Sequence, residues 1–191
     1  MAVRDQLLLA TAELMRRRGV AGTAVSEILA QSGVARRSIY LNFPEGKPEL
    51  VAEATRASGE VLTDALEAIL ATDDPIAAFI TMWTDMLTAT DFDAGCPVVA
   101  AALAGADAPK ASGQAGEIFA QWRNRIRDKL TEQGIDPAIA ESLAVTILSA
   151  VEGAVVIAQA QRSTRPVEEV GARLAELVAL HLPAGPDPSA P

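Results

Sequence analysis

The chain has 191 residues with a formal net charge of −9, and 50% of the residues are apolar, 4% aromatic and 21% charged. The apolar content excludes an intrinsically disordered chain, and a single cysteine, Cys96, excludes an intramolecular disulfide framework. No secretory signal pattern is present, and the longest apolar stretch, residues 144–160, is interrupted by Glu152 and is too short for a convincing membrane span. We therefore expect a cytoplasmic protein of one or two domains, and the abundance of Ala and Leu favours an all-α fold.

The charge is unevenly distributed along the chain. Residues 1–47 contain seven basic and four acidic residues, a local charge of +3, whereas residues 48–191 contain nine basic and 21 acidic residues, a charge of −12. A basic segment of an acidic protein can bind nucleic acid, because salt screens remote charges beyond about 8 Å. Charge alone leaves two interpretations open: a nucleic-acid surface or an ordinary fluctuation in composition.

The N-terminal region is predicted to form one long and two short helices. They are expected at residues 3–18, 24–31 and 35–41. Apolar residues recur at 4-3-4 spacing in the first of them, and Gly19 is a natural stop. Thr23 is predicted to cap the second helix, because a threonine hydroxyl can accept a hydrogen bond from an orphan backbone amide. Gly33 marks the turn between the two short helices.

Longer helices are predicted for the rest of the chain. They are expected at residues 47–70, 75–88, 97–105, 117–133, 137–161 and 166–181. Asp73 and Asp74 are predicted to cap the second of these and Asp136 the fifth, each followed by a proline in the first turn. Loops are expected at residues 89–96 and 106–116, the latter because of its proline and two glycines, and a disordered tail at 183–191. No strand pattern or internal repeat is visible.

Two short helices joined by a glycine-containing turn and preceded by a longer helix describe a helix-turn-helix module. Periodicity alone is equally compatible with any three-helix bundle. The string GTAVSEILAQSGV-ARRSIYLNFPEGK at residues 22–47, however, closely resembles the DNA-binding domain of TetR-family transcriptional regulators. The FPEGK spacing at residues 43–47 and the GCPV string at residues 95–98 are similar to the LmrA/YxaF-like branch of that family.

The resemblance implies a domain organisation for nearly the whole chain. Residues 1–46 would form the helix-turn-helix DNA-binding domain, and residues 47–182 a helical ligand-binding and dimerisation domain, with about nine helices in all. The family arrangement further implies a homodimer formed through the last two helices, at about residues 138–161 and 166–181. Small residues along the first of these and an apolar face on the second suit close helix packing, either within one chain or between two.

The resemblance also implies a set of DNA-contacting residues. Carried over by position, these are Thr23, Arg36, Arg37, Ser38, Tyr40, Asn42 and Lys47. The residues expected to contact phosphates are Thr23, Tyr40 and Lys47, and Arg36, Arg37 and Ser38 are expected to reach base edges at the start of the recognition helix. Asn42 would contact an adenine or a phosphate. Ala35, Arg37 and Asn42 depart from the commoner family pattern, which affects the expected base preference but not the motif.

Large apolar side chains are concentrated in residues 79–130. Their helical spacing by itself indicates only a packed core. The resemblance implies that some of them line a cavity for a small apolar or amphipathic molecule. The candidates are Phe79, Met82, Trp83, Met86, Leu87, Phe92, Cys96, Val99, Leu103, Phe119, Trp122 and Ile126. Asp85, Thr81 or Gln121 are candidate polar anchors, and the sequence does not choose between them.

The sequence thus predicts a ligand-responsive repressor that leaves a palindromic operator when its effector binds. Two alternatives remain: a transcriptional activator of the same fold, and a small-molecule-binding helical protein without a DNA role. We expect no enzyme, because no Ser-His-Asp or Cys-His set and no glycine-rich phosphate loop is present. We expect no cofactor and no metal site, because Cys96 and His181 alone cannot supply four ligands. Cys96 is expected to be a buried apolar residue.

Overall fold

The computed structural model describes residues 1–183, and these residues form nine α-helices and no strand. The helices are α1 (Val3–Arg18), α2 (Val25–Ser32), α3 (Arg36–Asn42), α4 (Lys47–Leu70), α5 (Pro75–Ala89), α6 (Pro97–Ala102), α7 (Pro109–Glu132), α8 (Pro137–Gln161) and α9 (Arg165–Ala179). A 3-10 turn covers Gly105–Asp107. The predicted all-α fold is confirmed. The tail predicted as disordered lies outside the described residues, except for Pro183.

Two of the predicted helix caps are present and one is wrong. The Asp74 carboxylate accepts a hydrogen bond from the Ala77 amide at 3.0 Å, and Asp136 accepts one from the Ala138 amide at 2.9 Å. Thr23, by contrast, does not cap α2, whose N-cap residue is Ala24. The Thr23 hydroxyl instead donates to the Gly19 carbonyl at 2.8 Å, because the turn after α1 folds this side chain into the interior.

The predicted loop at residues 106–116 is also wrong, because α7 already begins at Pro109. Proline is well suited to the first helical position, where no amide is needed. The two glycines within this segment each cost about 1 kcal/mol of helix propensity. Buried Ala111 and Ala115 extend the apolar stripe of the later turns, so packing outweighs propensity. Two other helices end slightly earlier than predicted: α6 ends at Ala102 instead of residue 105, and α9 ends at Ala179 instead of residue 181.

The first three helices bury apolar side chains at the N-terminal end of the hydrophobic core. Leu7 of α1, Ile28 of α2 and Ile39 of α3 are almost completely buried, and Phe43 closes the cluster directly after α3. The Arg4 guanidinium lies 5.1 Å from the centre of the Phe43 ring. This core fixes which face of α3 points outward, since Ile39 occupies its inner face.

The 24-residue helix α4 joins this N-terminal unit to the remaining helices. At 1.5 Å per residue it is about 36 Å long. It packs against α1 near its start and against α7 along its length, while α8 packs between α7 and α9, and α5 lies on α9. A second link comes from the loop before α6: the Gly95 amide donates to the Arg16 carbonyl at 2.9 Å, and Arg16 Nε donates back to the Gly95 carbonyl at 3.2 Å.

The helix α8 is long and apolar enough to cross a membrane by length and composition, with a mean hydropathy of 1.9 over its most apolar window. In the fold it is a packed element, and eight of its residues are buried. The central helix of a helical bundle has the same length and composition, so these properties follow from its place between α7 and α9.

Candidate nucleic-acid interface and effector cavity

The outer face of α3 carries exposed basic and aromatic side chains. Arg36 and Arg37 occupy the first two positions of the helix, and both are exposed. Within residues 1–183 neither forms a salt bridge or a side-chain hydrogen bond. The arginines at the end of α1 differ, because Arg17 pairs with Glu13 and Arg18 pairs with Glu27. The two α3 guanidiniums thus keep their donors available for an external acceptor.

Tyr40 lies one turn further along the same helix and is 56% exposed. Its ring lies close to Gly46, where an added Cβ would be 3.3 Å from Tyr40 Cε1. Gly46 has φ +72°, a conformation that favours glycine, and it caps the start of α4. This contact holds the phenol beside the N-terminus of α4, where backbone amides and a tyrosine hydroxyl can both face a phosphate.

The other four predicted DNA-contacting residues are hydrogen-bonded within the protein, partly buried or completely buried. Asn42 Nδ2 donates to the Ser38 carbonyl at 2.8 Å, which leaves the Asn42 amide oxygen free to accept. Lys47 Nζ donates to the Val20 carbonyl at 3.3 Å and retains two further donors. Ser38 is half-buried on α3. The Thr23 side chain is completely buried, so in this conformation its hydroxyl does not face a phosphate.

A mainly apolar cavity of about 210 Å³ lies between the later helices. Its wall is formed by the end of α4, the start of α5, the end of α7, α8 and α9. The apolar lining includes Leu66, Leu70, Ile76, Phe79, Ile80, Ile126, Leu130, Ile147, Val151, Leu174 and Val178. Asp73, Asp74, Lys129 and Gln133 are the polar groups that border it. The size and lining suit a small apolar or amphipathic molecule.

The structure places only some of the predicted pocket residues at a cavity. Phe79 and Ile126 line the large cavity, and with Met82, Trp83 and Trp122 they also line a neighbouring gap of about 20 Å³. Seven other candidates line neither space: Met86, Leu87, Phe92, Cys96, Val99, Leu103 and Phe119. Leu87 is fully buried core, and Leu103 is 81% exposed. The candidate anchors Asp85, Thr81 and Gln121 are exposed and also line neither space.

The sequence did not indicate most residues of the cavity wall, because these residues lie on α4, α8 and α9. These helices carry aliphatic side chains, whereas the prediction followed aromatic and methionine residues in the middle of the chain. The end of α4 at Leu70 and the start of α5 at Pro75, separated by four connecting residues, both line the cavity. Nothing in the sequence indicates which aliphatic residues of α8 and α9 face it.

One ionisable side chain lines the small gap. Glu152 of α8 lines it, and burial raises the pKa of this carboxyl to about 7. The Cys96 thiol lies beside Glu152, and burial, followed by the nearby Glu152 charge, raises the pKa of Cys96 well above its usual value. A thiol held protonated is a poor nucleophile. Within the described residues, no group of three or more His, Cys, Asp or Glu side chains is placed to hold a metal ion.

Two family models match the chain. Residues 7–54 match the model for bacterial regulatory proteins of the tetR family, and residues 74–173 match the C-terminal domain of LmrA/YxaF-like transcriptional regulators. The first match covers the N-terminal unit and the start of α4. The second contains α5 to α8 and most of α9.

Similar proteins are known in several bacteria. An uncharacterized HTH-type transcriptional regulator of Mycobacterium tuberculosis is 32% identical over 94% of this chain and 96% of its own length. The HTH-type transcriptional regulator LmrA of Bacillus subtilis is 23% identical over 92% of this chain and 96% of its own. A TetR transcriptional regulator of Legionella pneumophila has a similar fold, with a TM-score of 0.82, 19% identity and coverage of 93% and 97% of the two chains. The chain belongs to the TetR family of transcriptional regulators, with a C-terminal domain of the LmrA/YxaF-like type.

Proposed function

We propose that this regulator is a cytoplasmic, ligand-responsive repressor that leaves a palindromic operator when a small molecule fills its core cavity. The observation that carries the proposal is the outer face of α3, where exposed Arg36 and Arg37 have no partner within residues 1–183 and Tyr40 is half exposed. A short helix that is fixed by a buried core and presents free guanidiniums is suited to the major groove of DNA.

The contacts divide by chemistry. Arg36 and Arg37 are proposed to read base edges, since a guanidinium can donate two hydrogen bonds to guanine O6 and N7. Tyr40 and Lys47, beside the N-terminus of α4, are proposed to contact phosphates. Ser38 and Asn42 have subsidiary roles, because each is half-buried on α3. Thr23 is removed from the contacting set because its side chain is buried.

The proposed domains meet at the start of α4, with residues 1–46 binding DNA and residues 47–182 binding effector and partner subunit. One helix then reaches both sites. Lys47 at the start of α4 contacts the N-terminal unit, and Leu66 and Leu70, near its other end, line the cavity. A ligand that fits the cavity better when α4 is displaced would move the two DNA-binding units of a dimer away from operator spacing.

A homodimer is proposed to form through α8 and α9. Exposed apolar side chains lie on the outer face of α8, at Val145, Val156 and Ile157. Ser149, Gly153 and Ala160 are exposed on the same helix, and such small residues allow a second helix to approach closely. A two-fold dimer would place the two α3 helices in successive major grooves, about 34–36 Å apart.

The test is operator binding by fluorescence anisotropy, with labelled DNA from the region flanking the protein's own gene and a scrambled competitor. The wild-type protein is expected to prefer the specific DNA at least about 1,000-fold. The double variant Arg36→Ala with Arg37→Ala is expected to lose at least about 100-fold in specific affinity, because both base-reading side chains are removed.

A matched control separates base reading from net charge. Arg125→Ala with Arg127→Ala removes the same charge from the end of α7, where Arg125 pairs with Glu67 near the far end of α4. This control is expected to retain operator binding. Equal binding by the Arg36/Arg37 variant and the wild type would contradict the proposal, as would equal losses in both double variants.

A further inference from the structure

The helix α3 carries one exposed aliphatic side chain, that of Leu41. Leu41 is the last residue but one of α3 and is 76% exposed, more than Tyr40 at 56%. Tyr40 has a neighbour that accounts for its orientation, because its ring lies beside Gly46. An isolated exposed leucine is common on protein surfaces, so the position of Leu41 on the helix decides whether it has a role.

Leu41 lies on the face of α3 that is turned furthest from the interior. Ile39 marks the inner face, because it is 1% exposed and belongs to the hydrophobic core. Consecutive residues of an α-helix are about 100° apart around its axis. Arg37, two residues before Ile39, and Leu41, two residues after it, are therefore each about 160° from the inner face and about 40° from each other. The outermost ridge of α3 thus consists of one guanidinium and one leucine side chain.

A side chain on this ridge points at base edges when α3 enters the major groove as proposed. Arg37 can donate hydrogen bonds there, whereas Leu41 can neither donate nor accept one. Against a base edge that carries only donors and acceptors, Leu41 would displace water without replacing its hydrogen bonds, which costs free energy. The C5 methyl of thymine is the apolar group that the major groove presents, and apolar side chains contact it. Leu41 is therefore matched to thymine among the four bases.

The charges beside Leu41 favour DNA over an apolar protein partner. Arg36 and Arg37 are exposed on the same short helix, and neither forms a salt bridge within the described part of the chain. A partner that covers Leu41 also meets Arg37, which is about 6 Å away along the helix axis. Duplex DNA supplies phosphates and acceptor atoms for the guanidiniums and a methyl group for the leucine.

We propose that Leu41 contacts the C5 methyl of a thymine in each operator half-site and is a specificity-determining residue of this regulator. The inference rests on the proposed function, because it assumes that α3 reads the major groove. Stacked base pairs are about 3.4 Å apart, and Arg37 and Leu41 are separated by about 6 Å along the helix. The thymine is therefore expected within about two base pairs of the guanine that Arg37 is proposed to read.

The measurement is the affinity of the full-length protein for its operator fragment, by fluorescence anisotropy, with thymines replaced by deoxyuridine. Deoxyuridine lacks only the C5 methyl and keeps every hydrogen-bonding group of thymine. Symmetry-related thymines are replaced in pairs, one pair at a time. One pair is expected to lower wild-type affinity about tenfold, which is about threefold for each methyl group that loses its apolar contact.

The variant Leu41→Ala assigns the sensitive thymine to this side chain. Alanine keeps α3 helical, and Leu41 is too exposed to be needed for the core. The variant is expected to bind the thymine operator about tenfold more weakly than the wild type and to bind the thymine and deoxyuridine operators within about twofold of each other. The control Leu103→Ala makes the same change at an exposed residue that follows α6, and it is expected to retain wild-type affinity and the full deoxyuridine effect.

Three outcomes would overturn the inference: no thymine pair whose replacement weakens wild-type binding, an unchanged deoxyuridine effect in Leu41→Ala, or wild-type operator affinity in that variant. An effect that persists in Leu41→Ala would assign the methyl group to DNA stiffness or to another side chain. The proposed function is judged separately, by specific operator binding and its loss in the Arg36/Arg37 variant. Specific binding without a thymine that depends on Leu41 would reject this contact and leave the repressor.

Discussion

At the scale of single residues, arginines near the N-terminus differ in whether a carboxylate of the same chain binds them. Arg17 and Arg18 end α1, and Arg36 and Arg37 begin α3. The first two are held by carboxylates of α1 and α2, whereas Arg36 and Arg37 have no carboxylate partner within residues 1–183. The sequence shows only that all four arginines lie in or near the helix-turn-helix module. The Arg17–Glu13 pair lies within α1, one turn apart, whereas the Arg18–Glu27 pair depends on how α1 and α2 pack together.

Glu152 provides a prediction at this scale. Burial raises its pKa from 4.5 to about 7 in the folded protein. Because the folded-state pKa is the higher one, the contribution of this carboxyl to stability is fully present below pH 4.5 and is lost as the pH rises through 7. Glu152→Gln should avoid that loss, so its free energy of unfolding relative to the wild type should rise by about 2–3 kcal/mol between pH 5 and pH 8.

Urea unfolding at one protein concentration, followed by circular dichroism at pH 5 and pH 8, measures this difference. Glu60→Gln is the control, since it removes an equal charge at an exposed position. A relative stability of Glu152→Gln that stays constant with pH, or that falls as the pH rises, would contradict the raised pKa.

At the scale of elements, α7 shows how packing overrides local preference. Its first turns contain glycines at 113 and 116 that predict a loop, yet the helix begins at Pro109. An added Cβ at Gly113 or Gly116 would have no heavy atom within 4 Å. At Gly59 of α4 the added Cβ would instead lie 2.9 Å from Ile118 Cγ1 of α7 and closer still to its Cδ1. Some glycines of this pair of helices are therefore required by packing, and others are not.

Matched glycine substitutions test this distinction. Gly116→Ala should raise the free energy of unfolding by about 1 kcal/mol, because alanine has the better helix propensity and meets open space. Gly59→Ala should lower it by about 1–2 kcal/mol, because the gain in propensity is outweighed by displacement of the buried Ile118 side chain. Chemical denaturation of both variants measures the two changes. Stabilisation by both substitutions would show that α4 and α7 are not packed as closely as described.

At the scale of the whole molecule, the proposed function depends on a second subunit. The exposed apolar face of α8 predicts that Ile157→Glu, which places a charge at a residue that is 49% exposed in the protomer, converts a dimer into a monomer. Sedimentation velocity should give a species of twice 19.9 kDa for the wild type and of 19.9 kDa for the variant. The operator affinity of the monomeric variant should also fall, because each DNA-binding unit then binds alone.

Leu103→Glu is the matched control for this substitution. Leu103 is 81% exposed at the end of α6, away from the α8 face, so a glutamate there should leave the dimer intact. Dissociation of both variants, or of Leu103→Glu alone, would place the interface elsewhere. A wild type that remains monomeric at micromolar concentration would contradict the dimer itself.

The sequence by itself determined the all-α class, most helix bounds and the helix-turn-helix module with its exposed arginines. These features are local: caps such as Asp74 and Asp136, helix-breaking glycines and apolar periodicity act within a few residues. Only the tertiary structure decided that Thr23 is buried, that α7 begins at Pro109 and that the cavity lies among aliphatic residues of α4, α8 and α9. Such features arise where helices distant in sequence meet, and the free energy of that packing exceeds any local preference.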